Sequence, residues 1–179
     1  MNNCKLIIPL TCFALFLGSC TQKNNRSNEV SSKKDSTKVS ENRPVLKDTI
    51  MQKVYTHYNH LKNALVLSDS VEAKKAAHEL ALALTEIKGC ETTGMVTRKI
   101  AGTEKLSEQR LHFIPVSADL IALFKHSEVS SGKLYVQYCP MANNGEGAYW
   151  LSSENQVKNP YYGDEMLDCG EVKEEIKGK

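Results

Sequence analysis

DTIMQKVYTHYNHLKNALVLSDSVEAKKAAHELALALTEIKG, residues 48–89, is the stretch whose periodicity decides the fold. Asp48 stands where a short side-chain oxygen can accept from the unpaired amides of a first helical turn. Behind it Ile50, Val54, Tyr58, Leu61 and Leu65 recur at helical spacing and make one apolar stripe. Ser68 and Asp69 interrupt the pattern. It resumes with Ala73, Ala76, Leu80, Ala83, Leu84 and Ile87 on one face, where the alanines let a neighbouring helix approach closely. Gly89 is placed to end this second helix. A connection as short as 68–70 predicts an antiparallel helical hairpin.

Downstream, KGCETTGMVTRKIAGTEK (88–105) reads as a short helix or an irregular link bracketed by Gly94 and Gly102. A further long helix is predicted from about Thr103 to Lys125, with Leu106, Phe113, Ser117, Leu120 and Phe124 on one face. Pro115 is expected to kink or break it, because proline lacks the N–H and crowds the preceding turn. KLYVQY (133–138) alternates and is rich in β-formers, so it reads as a short strand. NNGEG, NPYYG and LDCG then follow, dense in turn residues. The fold class is therefore mainly α: a three- or four-helix bundle with an irregular C-terminal lobe that carries a short β-strand, a single domain over 45–179.

The N-terminal residues read differently. Lys5 precedes the apolar run LIIPLTCFALFLG, and LGSC places small residues directly before Cys20. That arrangement resembles a bacterial lipoprotein signal over 1–19, with Cys20 as the lipidated first residue of the mature chain. It implies an envelope lipoprotein facing the periplasm, attached to the membrane and not spanning it. Residues 20–44 carry almost no large apolar side chain and read as a flexible polar tether. Net charge is +2 with scattered basic residues, which leaves no electrostatic footprint for nucleic acid. Enzymatic motifs are missing, so the chain is expected not to be an enzyme, and no small organic substrate is indicated.

Removal of the signal takes Cys4 and Cys12, and lipid occupies Cys20, so the mature domain keeps Cys90, Cys139 and Cys169. Cys139-Pro-Met141 is an i, i+2 pair that shares a face in extended backbone. Met166-Leu-Asp-Cys169 is an i, i+3 pair that shares a side of a helical turn, with Asp164 placed to cap it. Three readings stay open at this point. Two thiolates and two thioethers form a soft set suited to Cu(I) or Ag(I). A Cys139–Cys169 disulfide in an oxidising compartment stabilises the fold by roughly 3–4 kcal/mol. Otherwise the methionines are core filler.

Among the histidines, His57 and His60 lie three apart on the first helix but fall short of a full ligand set, and His78 reads as solvated. His112 borders the apolar stripe of its helix, and His126 closes that helix. Cys90 lacks a strong pKa-lowering neighbour in sequence and reads as a spectator.

YCPMANNGEGAYWLSSENQVKNPYYGDEMLDCGEV (138–172), with QRLHFIPVSADLIAL (109–123) ahead of it, resembles a bacterial envelope family known as domain of unknown function 3347. The resemblance extends over about Asp48 to Val172. Similar domains occur alone in lipoproteins or attached to periplasmic adaptors of copper and silver efflux pumps. The resemblance thus implies a soft-metal role, with Cys139, Met141, Met166, Cys169 and His112 as ligands of Cu(I) or Ag(I) and a metal-efflux or sensor protein as partner. It implies scaffold roles for Trp150, Asn159, Pro160, Tyr161 and Gly163. A structural or protein-interaction module closed by a Cys139–Cys169 disulfide is the alternative.

Overall fold

A computed structural model describes residues 43–178. The expected signal segment, the lipidated Cys20 and the tether up to residue 42 lie outside the described residues. Helix α1 (Thr49–Val66) begins as anticipated: the Asp48 carboxylate accepts from the amides of Ile50 and Met51 at 2.8 and 3.0 Å. Asp69 caps α2 (Ser70–Leu84) by accepting from the Glu72 amide. Between them Ser68 turns the chain at φ 55°. Helix α2 stops at Leu84 and not near Gly89, so Ile87 belongs to the following turn. Residues 88–105 contain a complete third helix, α3 (Glu91–Ala101). Ala73, Ala76, Ala77 and Ala83 are fully buried, and their small side chains let α2 pack between α1 and α3.

Helix α4 (Leu106–Lys125) starts later than expected and runs straight through Pro115. The expected break is corrected by exposure. Pro115 and the residue four before it, Leu111, both lie on the solvent face, where the Leu111 carbonyl needs no helical partner. The inward face carries Gln109, Phe113, Val116, Ser117, Leu120, Ile121 and Phe124.

The C-terminal lobe is more ordered than one strand. A short β1 (Val45–Leu46) pairs antiparallel with β2 (Val129–Ser131). Three further strands, β3 (Lys133–Cys139), β4 (Ala148–Ser152) and β5 (Glu171–Lys177), form an antiparallel sheet in the order β4-β3-β5. The register sets Cys139 opposite Ala148 and Tyr138 opposite both Tyr149 and Glu171. β5 escapes sequence reading because EVKEEIK is charged and exposed. Glu175 pairs across the sheet with Lys133 of β3 at 2.7 Å, while Lys173 pairs with Glu171 within the strand.

The sheet joins the helices through tyrosine. Tyr58 of α1 is fully buried, and its ring stacks on Phe113 of α4 at 5.5 Å. Its oxygen accepts the Leu151 N–H of β4 at 2.9 Å and sits 2.7 Å from the Ser117 hydroxyl of α4. Tyr161 donates its hydroxyl to the Tyr149 carbonyl at 2.6 Å. The outer edge of β4 thus ends on two phenol oxygens instead of another strand.

Two stability outcomes follow. Tyr58→Phe orphans the buried Leu151 amide and should cost about 1–3 kcal/mol in urea denaturation. Lys62 of α1 is buried, and burial lowers its pKa from the ordinary 10.5 to about 8. Below pH 8 both folded and unfolded chains hold the proton and the folded chain bears the full cost of burying the charge. Between about 8 and 10.5 the unfolded chain holds more protons, so stability should rise with pH. Lys62→Met should stabilise the protein at pH 7 by on the order of 2–3 kcal/mol and flatten that rise, read from urea midpoints of both proteins at pH 7 and pH 9.5.

Candidate functional site

Cys139 is the last residue of β3 and is wholly buried. Cys169 is half-buried two residues before β5. Their Sγ atoms are 3.0 Å apart, and both thiols are free. Thirty residues separate them in the chain, so local structure alone does not bring them together.

Two buried amides hold the intervening excursion in place. Gln137 Nε2 donates to the carbonyls of Glu154, Asn155 and Gln156 at 2.9–3.3 Å, which lays that segment against the sheet. Asn159 uses both ends of its side chain. Its Nδ2 donates to the Cys169 carbonyl at 2.9 Å, and its Oδ1 accepts from the Tyr161 amide at 2.8 Å. Its own N–H donates to Leu167 O and its carbonyl accepts from Gly163 N–H. Asn159 therefore closes the 159–169 loop on itself and delivers Cys169. Gly170 completes the approach: at φ 146° a Cβ there would lie 2.8 Å from the Tyr138 carbonyl and 3.0 Å from the Trp150 ring.

The backbone of each methionine reaches the thiol region. The Met141 backbone N–H points at Cys169 Sγ, which shows that the Cys139-Pro-Met141 turn meets the Met166–Cys169 turn. The Met141 side chain is 53% exposed. Its carbonyl accepts from the Tyr162 hydroxyl at 2.6 Å. Met166 is half-buried with non-helical backbone at φ −147°, and its carbonyl accepts the Cys169 N–H at 3.1 Å. Asp164 sits inside the short 3₁₀ turn Gly163–Glu165 and not at its cap position.

The Cys139 thiol first, and burial second, push the Cys169 thiol above its ordinary value, with the Met141 amide opposing them. Burial likewise raises Cys90, which opens α3. Neither cysteine has the depressed pKa of a nucleophilic thiol.

The histidines lie elsewhere. His57 and His60 reach across to α2, with His57 Nδ1 3.3 Å from Glu79 and His60 Nε2 2.8 Å from Glu72. His112 lies on α4 within electrostatic reach of Glu108. Among the described residues, no group of three or more His, Cys, Asp and Glu side chains is arranged to hold a metal ion. His112 therefore does not join the cysteine pair, and the structure leaves two thiols with methionine neighbours.

Arg110 has a positional role that its sequence context did not reveal. Its guanidinium donates to Leu65 O, Ser68 Oγ and Pro160 O, tying the α1–α2 turn to the site loop. Gly163, at φ 58°, makes room for this, since a Cβ there would lie 2.7 Å from Arg110 Nη2. A polar pair, Gln109-Arg110, at the buried edge of an apolar stripe was the available signal.

Residues 54–132 match the family model described as a protein of unknown function (DUF3347). The DUF3347 match runs from within α1 through β2 and ends before Cys139, so the thiols lie outside it. No curated protein and no solved structure matches the chain.

Asn159→Ala should loosen the Cys169 loop while leaving the helices in place. The expected result is faster alkylation of Cys169 by iodoacetamide at pH 7.5, with far-ultraviolet circular dichroism unchanged.

Proposed function

We propose that this domain binds Cu(I) or Ag(I) through the thiolates of Cys139 and Cys169 and buffers the ion or relays it to an efflux or sensor protein. The observation that carries the reading is the pair of free thiols 3.0 Å apart. Among the described residues no His or carboxylate joins the two cysteines in a group of three, so the donors are soft, and soft donors favour Cu(I) and Ag(I) over Mg²⁺ or Ca²⁺. Zinc normally takes four ligands from Cys, His and carboxylate. Met141 offers a thioether at the exposed side, and Met166 offers another from the adjoining turn. The resemblance to domains of copper and silver efflux adaptors points the same way.

On this reading the ion is cargo and no substrate bond is made or broken. The raised Cys169 thiol supports that view, since a redox or acyl-transfer cysteine needs the opposite shift. Binding replaces thiol protons, so affinity should fall as pH falls. The lipid anchor at Cys20 and the polar tether would hold the domain on the periplasmic side of a membrane.

A second reading rests on the same proximity. Cys139 and Cys169 form a disulfide in the oxidising envelope, and the domain is a structural or protein-interaction module.

Competition with a chromogenic Cu(I) chelator under reducing, anaerobic conditions tests the first reading. The reduced domain should take up about one Cu(I), and Cys139→Ser or Cys169→Ser should weaken binding at least 100-fold. Met141→Ala should weaken it several-fold. An absence of Cu(I) uptake by the reduced protein overturns the metal reading. A fully linked Cys139–Cys169 peptide in protein isolated without reductant favours the disulfide.

A further inference from the structure

A groove of about 360 Å³ lies between α4 and the turns around Asn143 and Gly163. Ile114, Ala142 and Tyr161 give it an apolar floor, and Leu111, 57% exposed, stands at its rim. Met141 adjoins it, because the Met141 carbonyl is bonded to the Tyr162 hydroxyl of its wall. Leu111 is thus a large apolar side chain more than half exposed at a small concavity, where burial by a partner would be favourable, and the half-exposed Met141 precedes the lining residue Ala142 in the chain.

The rim also has a charge. Glu165 lines it, Asp164 is adjacent, and Glu146 is held at the Asn143 turn by the Asn143 side chain at 2.7 Å. None of these three carboxylates takes part in a described ion pair with a lysine. Arg110 also lines the groove and attracts Glu165 and Asp164. Three of its five N–H donors are committed to Leu65, Ser68 and Pro160. Glu165 on the lining, Asp164 next to it in the chain and Glu146 at the Asn143 turn outnumber one guanidinium, so the rim is acidic. The turn beneath it is held in an unusual backbone state. Asn143 and Asn144 both have positive φ, 53° and 56°, conformations that non-glycine residues adopt at a cost and that gather at binding sites.

We propose that this groove receives an apolar segment of a partner protein flanked by lysine or arginine. An apolar floor with an acidic rim is complementary to such a segment. The same rim disfavours a second copy of the chain, because a two-fold pair sets like patches, and hence like charges, against each other. It equally disfavours an anionic lipid surface. The inference rests on the groove lining and does not depend on what the thiols bind.

Three fluorescein-labelled nonapeptides with a central Leu-Ser-Leu, flanked by lysines, serines or glutamates, supply the test by fluorescence anisotropy. The lysine peptide should bind at least tenfold tighter than the glutamate peptide, and more weakly as salt rises. Leu111→Glu and Glu165→Lys, both at exposed positions, should each reduce its binding at least tenfold. The double variant Cys139→Ser, Cys169→Ser should bind it like the wild type, which separates this result from the Cu(I) assay. Failure of all three peptides to bind, equal binding of the lysine and glutamate peptides, or indifference to both groove substitutions would overturn the proposal. Self-association in sedimentation velocity that Leu111→Glu abolishes would overturn it in favour of a second copy.

Discussion

A buried phenol oxygen joins the two halves of this domain. Tyr58 is fully enclosed, so its hydroxyl has no solvent to fall back on. It accepts from Leu151 of β4 and pairs with Ser117 of α4, while its ring lies on Phe113. Phe113 in turn meets Tyr161, and Tyr161 meets Trp150 edge-on at 5.8 Å. Helix, sheet and site loop thus share one aromatic column. The unpaired N–H and C=O of the outer β4 edge terminate on Tyr58 and Tyr161, so the sheet edge is closed by side chains contributed from two distant parts of the chain.

The thiol pair inherits its geometry from that arrangement. β3 fixes Cys139 once it is hydrogen-bonded between β4 and β5. Cys169 depends on a longer chain of constraints: Gln137 holds the loop to the sheet, Asn159 folds the loop on itself, and Gly170 lets the returning backbone pass close to Tyr138 and Trp150. Arg110 fastens the same loop to the α1–α2 turn. Gln137 and Asn159 make their side-chain bonds to backbone groups, whose positions do not vary with side-chain rotamer. Those contacts set the two sulfurs 3.0 Å apart.

Much of this was legible in the residues. The stripes of α1 and α2 predicted buried Val54, Tyr58, Leu61, Leu65, Ala73, Ala76 and Leu80, because helical periodicity reflects a single core-facing surface. Asp48 announced its helix through local capping chemistry. Pro115 misled because the rule assumes a carbonyl in need of a partner, and at the exposed face solvent removes that need. β5 was hidden because an exposed, charged strand carries no burial pattern. Its conformation comes from the ladder offered by β3. Lys62 shows the same limit inside α1, where a lysine in the polar part of the pattern is covered by a loop from far along the chain.

The sequence by itself determined the helical hairpin, the residue types at the site and the pairing of each cysteine with a nearby methionine. Those properties depend on neighbours within one or two turns, where backbone periodicity sets direction. Tertiary structure alone decided that Cys139 and Cys169 meet and that His112 stands apart. It also decided that a groove opens between α4 and the turns around Asn143 and Gly163. Residues 30 apart come together only when a sheet register, a buried amide and a glycine of positive φ all agree. That agreement is a property of the packed whole, which no local spacing encodes.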